Sequence, residues 1–184
     1  MYGLVKQGLE HMVCARHGEE AWSAIKRDAG IDIEMFIGMH VYPDEMAFAL
    51  FRSASTVLGI SLAELLRSFG AYWLTFTAHA GHDHLLDMAG SSLAEFLENL
   101  DTMHSVLVEG FPEMKAPTFT CDQISSTEFD LHYHSERRGL APMVIGLVSA
   151  LAERFGDVIE ITHRRATDEN HDHDVFRIRM LREK

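Results

Sequence analysis

The segment Glu128-Phe-Asp-Leu-His-Tyr-His-Ser-Glu-Arg137 decides how the chain is read. Residues two apart on a β-strand face the same side. Phe129, Leu131, Tyr133, Ser135 and Arg137 then share one face, and Glu128, Asp130, His132, His134 and Glu136 the other. The first face is apolar until it ends in two hydroxyls and a guanidinium. It reads as a buried face running into an anion-binding rim, because Arg offers a planar fork to a carboxylate and Tyr and Ser add hydroxyl donors. Each hydrogen bond to an ionised acid group contributes roughly 1.5–3 kcal/mol. The plainer reading is a strand end reaching solvent, with Arg137 in a surface ion pair.

The chain changes character around this strand. Up to about Val108 the apolar pattern is helical, and from about Thr118 it mixes strand and helix. Between them, Gly110 to Pro117 stops a helix and stays extended. A first helix is expected from Tyr2 to Gly18 and a second from Ala21 to Asp28. Pro43-Asp44-Glu45 starts another, with Pro early and acids in the first turn. Ser61-Leu-Ala-Glu64 and Ser92-Leu-Ala-Glu95 are capping boxes. The helix after the first carries Leu62, Leu65, Leu66, Phe69, Trp73 and Phe76 on one stripe. The helix after the second carries Leu93, Phe96, Leu97, Leu100, Met103, His104 and Leu107. Pro142 fits the first turn of an apolar helix through Met143, Leu147, Leu151 and Phe155. Strands are expected at Thr118–Cys121, Val158–Thr162 and Val175–Leu181, with Arg165–Asp172 as a long exposed loop. The fold class is therefore α+β in one domain. A helical subdomain covers about 1–60, and the rest combines helices with an antiparallel sheet packed on one side by the Pro142 helix.

At 184 residues the chain suits a single domain with a real core. The net charge of -12 argues against a nucleic-acid binder and is compatible with a basic protein partner. The N-terminal stretch lacks the apolar core of a signal peptide, and no apolar run is long enough to span a bilayer. Cys14 and Cys121 form no CxxC. We expect a cytoplasmic protein with free thiols and no membrane contact.

His104 points where the leucines of its helix point. A ring on an apolar face must still satisfy its nitrogens. Two readings stand open: a core histidine bonded to a backbone carbonyl, or an axial ligand using one nitrogen while a second partner orients the other. Trp73 and Met143 lie on apolar stripes and need no role beyond the core. His82 and His84 in Gly81-His-Asp-His, and His171 and His173 in Asn170-His-Asp-His, read as surface histidines in polar loops. A zinc site would want four ordered ligands. No phosphate loop, GxSxG elbow or HExxH is present, so no catalytic set is expected.

Taken together these pieces resemble the H-NOX family, the haem nitric oxide/oxygen-binding domains related to the haem domain of soluble guanylate cyclase. The matching features are Met1-Tyr-Gly-Leu-Val5, Asp101-x-x-His104, Pro117 thirteen residues beyond that His, Tyr133-x-Ser135-x-Arg137 and Gly139-Leu-Ala-Pro-Met-Val-Ile-Gly-Leu147. The likeness spans nearly the whole chain and suits a stand-alone member. It implies haem b held without covalent attachment, there being no CxxCH. His104 would be the proximal iron ligand, and Tyr133, Ser135 and Arg137 would bind the propionates. Pro117 would press on the porphyrin. Val5, Trp73 and Met143 would line the distal side, with Leu147 in the matched stretch that follows. Oxygen-binding members place a tyrosine over the ligand where Pro142 stands here, and Tyr72 is rotated off the Trp73 stripe. The resemblance therefore implies a sensor of NO, with CO as a surrogate, that rejects O2. Release of His104 would signal to a separate protein, such as a histidine kinase or a cyclic-dinucleotide enzyme. The alternatives are a haem-free module sensing an organic acid through Arg137, and an enzyme holding a metal in the His-rich loops.

Overall fold

A computed structural model of the protein describes residues 1–77, 89–110, 113, 115–167 and 172–181. Helix α1 runs Gly3–Asp28, α2 Asp44–Leu58, α3 Leu62–Thr77 and α4 Leu93–Gly110. Strands β1 (Thr118–Ser125) and β2 (Glu128–His134), helix α5 (Ala141–Phe155), and strands β3 (Ile159–Thr167) and β4 (Asp172–Met180) follow. The two helices expected before Asp28 are one element broken at Gly18, whose φ of 83° is open to glycine and strained for other residues. Before α3, Ser61 and Glu64 exchange bonds as the capping box requires: the Glu64 carboxylate accepts from the Ser61 amide at 3.0 Å, and Ser61 Oγ accepts from the Glu64 amide at 3.2 Å. At α4 the pattern shifts by one residue. Ser92 Oγ takes the Glu95 amide, but the Glu95 carboxylate reaches back to the amide of Ser91 at 2.8 Å. No single helix among the described residues is long and apolar enough to cross a membrane.

The four strands form one antiparallel sheet in the order β1-β2-β4-β3. Leu131 and Tyr133 of β2 and Phe176 and Ile178 of β4 face inward against α4 and α5, and Phe129 is fully buried. Two expectations need correction. β2 ends at His134, short of the expected Arg137, although a side-chain hydrogen bond still joins Tyr133 to Ser135 and the Arg137 charge lies near that hydroxyl. Ser135 Oγ also accepts the Arg137 amide at 3.1 Å, a local turn that competes with the ladder. The expected loop Arg165–Asp172 is strand at both of its ends. β3 continues to Thr167 and β4 begins at Asp172, the two paired through Thr167 Oγ1 and Asp172 Oδ1 at 2.8 Å. A solvent-facing sheet side is polar whether or not the chain is looping, so polarity alone misplaced the ends.

Two apolar clusters result. One joins α1, α2 and α3 through Leu9, Val13, Ile25, Leu50, Leu65 and Phe69, with Leu140 added from the segment before α5. Leu62, read as part of the α3 stripe, is 38% exposed and lies outside it. The other joins α4, α5 and the sheet through Leu93, Phe96, Leu97, Leu100, Leu131, Leu151 and Phe176. Helices α3 and α5 meet where these clusters abut, and they meet through glycine. A Cβ on Gly70 would stand 2.0 Å from the Met143 carbonyl oxygen, and one on Gly146 2.0 Å from that of Arg67. A backbone carbonyl cannot yield as a flexible side chain can.

In open helix, Gly→Ala stabilises by roughly 0.5–1 kcal/mol. Gly146→Ala should reverse that sign and cost about 1–3 kcal/mol by overpacking, read as a lowered urea midpoint. Gly110→Ala, with nothing within 4 Å of its Cβ, should leave the midpoint unchanged or raise it. A Gly146→Ala protein as stable as its parent would mean that the two helices need no such closeness.

Candidate functional site

Helix α4 is held down by Leu93, Phe96, Leu97 and Leu100, all buried. One turn beyond Leu100, His104 falls on the same face. Its Nδ1 lies 2.8 Å from the Leu100 carbonyl oxygen. A carbonyl only accepts, so Nδ1 carries the proton and Nε2 keeps its lone pair. Burial lowers the His104 pKa below its ordinary value, although the Leu100 bond and nearby Asp101 oppose the shift. The ring is therefore neutral at physiological pH and carries a nitrogen lone pair, the form that ligates a metal. Asp101 on the preceding turn accepts the Phe119 amide at 2.9 Å and pins the start of β1 to α4.

A cleft of about 440 Å³ lies beside His104, a size within the range of small-molecule sites. Helix α4 supplies Asp101, His104 and Val108, and the extended segment before β1 supplies Lys115, Ala116 and Pro117. Glu136 and Arg137 also line it. The Arg137 guanidinium gives one edge to Asp44, with Nε at 2.7 Å from Oδ2 and Nη2 at 3.4 Å from Oδ1. Its Nη1 donates to the Lys115 carbonyl at 2.6 Å. Burial pushes the Asp44 carboxyl up, but hydrogen bonds from the Met1 amino group and Arg137 outweigh this and hold it below the usual range. Tyr133 is 5% exposed, and burial pushes its hydroxyl pKa up. The Phe119 ring stands between His104 and Tyr133, at 5.1 and 5.3 Å between centroids.

The cleft thus gathers His104, Pro117 and Arg137, with Ser135 bonded to the Arg137 amide and Tyr133 buried behind Phe119. Val5, Trp73, Met143 and Leu147 are not in its lining. Val5, Trp73 and Met143 pack on the α1–α2–α3 cluster, and Leu147 packs on the other. The Trp73 ring lies against Gly8 of α1, flanked by Phe69 at 5.6 Å and Phe76 at 5.7 Å. The Tyr72 hydroxyl is bonded to His11 Nδ1, away from that stripe. Asp44 carried no functional signal in the sequence, because its partner is 93 positions away. His173 is corrected: it sits in β4, 4% exposed, with Nε2 2.9 Å from His132 Nδ1 and its ring stacked 4.2 Å from that of His134. His82, His84 and His171 lie outside the described residues. Chemically, a neutral imidazole and a guanidinium rim suit a flat ligand with a metal at its centre and acid groups at its edge.

The model of the family described as Haem-NO-binding matches residues 2–163. Soluble guanylate cyclase gcy-35 of Caenorhabditis elegans is 30% identical over 174 residues, which is 90% of this chain and 25% of that protein. Guanylate cyclase soluble subunit beta-2 of Rattus norvegicus is 40% identical over 93 residues, covering 50% of this chain and 14% of its own length. The chain spans about a quarter of the curated cyclases it matches along most of its length. Among solved structures, an H-NOX protein from S. oneidensis in the Fe(II)NO state superposes with a TM-score of 0.87 at 20% identity, covering 99% of this chain and 100% of that one. The Fe(II) unliganded H-NOX protein from K. algicida gives 0.85 at 18%, covering 100% and 98%. At such identity these two establish the mixed helix-and-sheet fold. With the family model matched from the first helix into β3, the chain belongs to the Haem-NO-binding, or H-NOX, family.

Proposed function

We propose that this domain is a haem-based sensor of nitric oxide. The observation that carries the reading is His104, a half-buried, neutral imidazole at the cleft whose Nδ1 is committed to Leu100. His104 Nε2 would hold the iron of a non-covalently bound haem b. Tyr133, Ser135 and Arg137 would hold its propionates, Pro117 would form the wall beside His104, and Val5, Trp73, Met143 and Leu147 would line the opposite side. Bound there, the haem would supply a ferrous iron that accepts a diatomic gas. All remaining work belongs to the chain.

Selectivity rests on donors. Dioxygen is held well only where a hydrogen-bond donor faces it, whereas NO and CO depend on one far less. Pro142 donates nothing, and the Tyr72 hydroxyl is engaged by His11. The domain therefore takes NO and CO and excludes O2. In signalling, a His104 bound to haem would tether α4; were that ligation lost on gas binding, α4 would be free to shift, and the Phe119 amide bonded to Asp101 would carry the shift into β1. Pro117 relaxes with it, and one half of the molecule turns on the other. A coupling of about 1–3 kcal/mol suffices to change a partner's state. The partner is a separate cytoplasmic signalling enzyme, such as a histidine kinase or a cyclic-dinucleotide enzyme, and the domain itself is not catalytic.

The absorption spectrum of the purified protein should show a haem Soret band. His104→Ala should abolish it, and added imidazole should restore it. A colourless, folded wild type would leave the organic-acid reading in its place. Reduced protein opened to air should give no stable oxygenated spectrum; a persistent one would overturn the exclusion of O2. Pro117→Ala should flatten the porphyrin, measured by resonance Raman, and an unaltered distortion would remove Pro117 from the mechanism.

A further inference from the structure

Lys6, in the first turns of α1, is 1% exposed. Its Nζ donates to the Met1 carbonyl at 3.2 Å and stands 5.0 Å from the centre of the Tyr42 ring. An ammonium has three protons to place, and burial without a carboxylate is costly. A lysine needed only for packing would be better served by an apolar side chain of similar length. The groups facing it are the Met1 amino group, Tyr42, Asp44 and Arg137. Burial pushes its pKa down to about 8, opposed by Asp44 and reinforced by Arg137. Asp44 is occupied elsewhere: it accepts from Arg137 at 2.7 Å and from the Met1 amino group at 2.6 Å. Arg137, however, spends on Asp44 the same two-nitrogen edge that a ligand's carboxylate would seek.

We propose that Lys6 is the reserve counter-ion of Asp44. When an acid group of the bound haem draws Arg137 away, Asp44 pairs with Lys6, and the start of α2 stays joined to α1. The inference rests on the haem reading given above. It assigns a use to the buried ammonium. Lys6, Arg137 and the Met1 amino group surround one carboxylate before the ligand arrives, and a ligand carboxylate drawing off Arg137 leaves Asp44 to Lys6 and the Met1 amino group.

The test is haem release from the loaded protein into excess apomyoglobin. Lys6→Met should release haem about ten-fold faster than the wild type, the size of one charge-assisted hydrogen bond. The haem-free Lys6→Met protein should unfold at the same temperature as the wild type or higher, since a buried charge has been removed. On an Asp44→Asn background, Lys6→Met should add nothing further. Lys6→Gln serves the same comparison should the methionine variant not fold. In the wild type, the Lys6 ammonium, followed by nitrogen NMR, should titrate at higher pH in the haem-loaded than in the haem-free protein. Release at the wild-type rate, or an unmoved titration, overturns the proposal. So does faster release that matches a loss of haem-free stability and persists without Asp44, for then Lys6 is only structural. A wild type that takes up no haem at all would remove the haem reading itself, and this inference with it.

Discussion

The ion pair between Asp44 and Arg137 is the polar joint on which the arrangement turns. Asp44 opens α2, inside the helical cluster, while Arg137 follows β2, inside the sheet cluster. Their side chains are 30% and 15% exposed, so screening by solvent is incomplete and each partner would be left with a poorly solvated charge if the other were removed. Arg137 also reaches the Lys115 carbonyl, which ties the joint to the segment that carries Pro117. A ligand that competes for Arg137 therefore touches α2, the Pro117 wall and the end of β2 at once. The exposed pair of Lys115 and Glu136, at 2.9 Å, adds little by comparison.

The opposite end of the cleft depends on one backbone carbonyl. Leu100 is fixed in the core, so its oxygen is fixed, and with it the His104 tautomer. The chemistry of the ring is thus decided by helix geometry one turn upstream. The two ends share the beginning of β1, which Asp101 pins through Phe119 and whose preceding residues line the cleft. α4 and the Arg137 joint are thus linked through the Asp101–Phe119 bond and the Lys115 carbonyl.

How much of this could be read beforehand differs residue by residue. Ser61 with Glu64 was legible because a capping box is local and its partners are three positions apart. The inward face of Phe129, Leu131 and Tyr133 was legible because alternation is a property of the strand alone. Ser135 and Arg137 were named from the strand pattern and the motif, yet the end of the ladder at His134 was not legible, because the Ser135 hydroxyl turn sets it. His173 looked like loop because its neighbours are polar. The alternation of Asp174, Phe176 and Ile178 was the overlooked signal, since it puts His173 on the far face of a strand. Asp44 and Lys6 were invisible as a pair, for nothing in an acid at a helix start or a lysine on an amphipathic helix announces a partner across the fold.

A net charge of -12 opposes the approach of a ligand that carries acid groups. Long-range steering is indeed not how such a site would work, because surface charge is screened within about 8–10 Å at ordinary ionic strength. The decisive charges are those held where water is scarce. Arg137 is oriented by two acceptors before any ligand arrives, and Lys6 is buried beneath the α1–α2 joint. The sign of the exterior and the sign of the pocket are therefore set independently. Selectivity for an anionic edge thus lies in a few desolvated cations set by the fold, and total charge predicts it poorly.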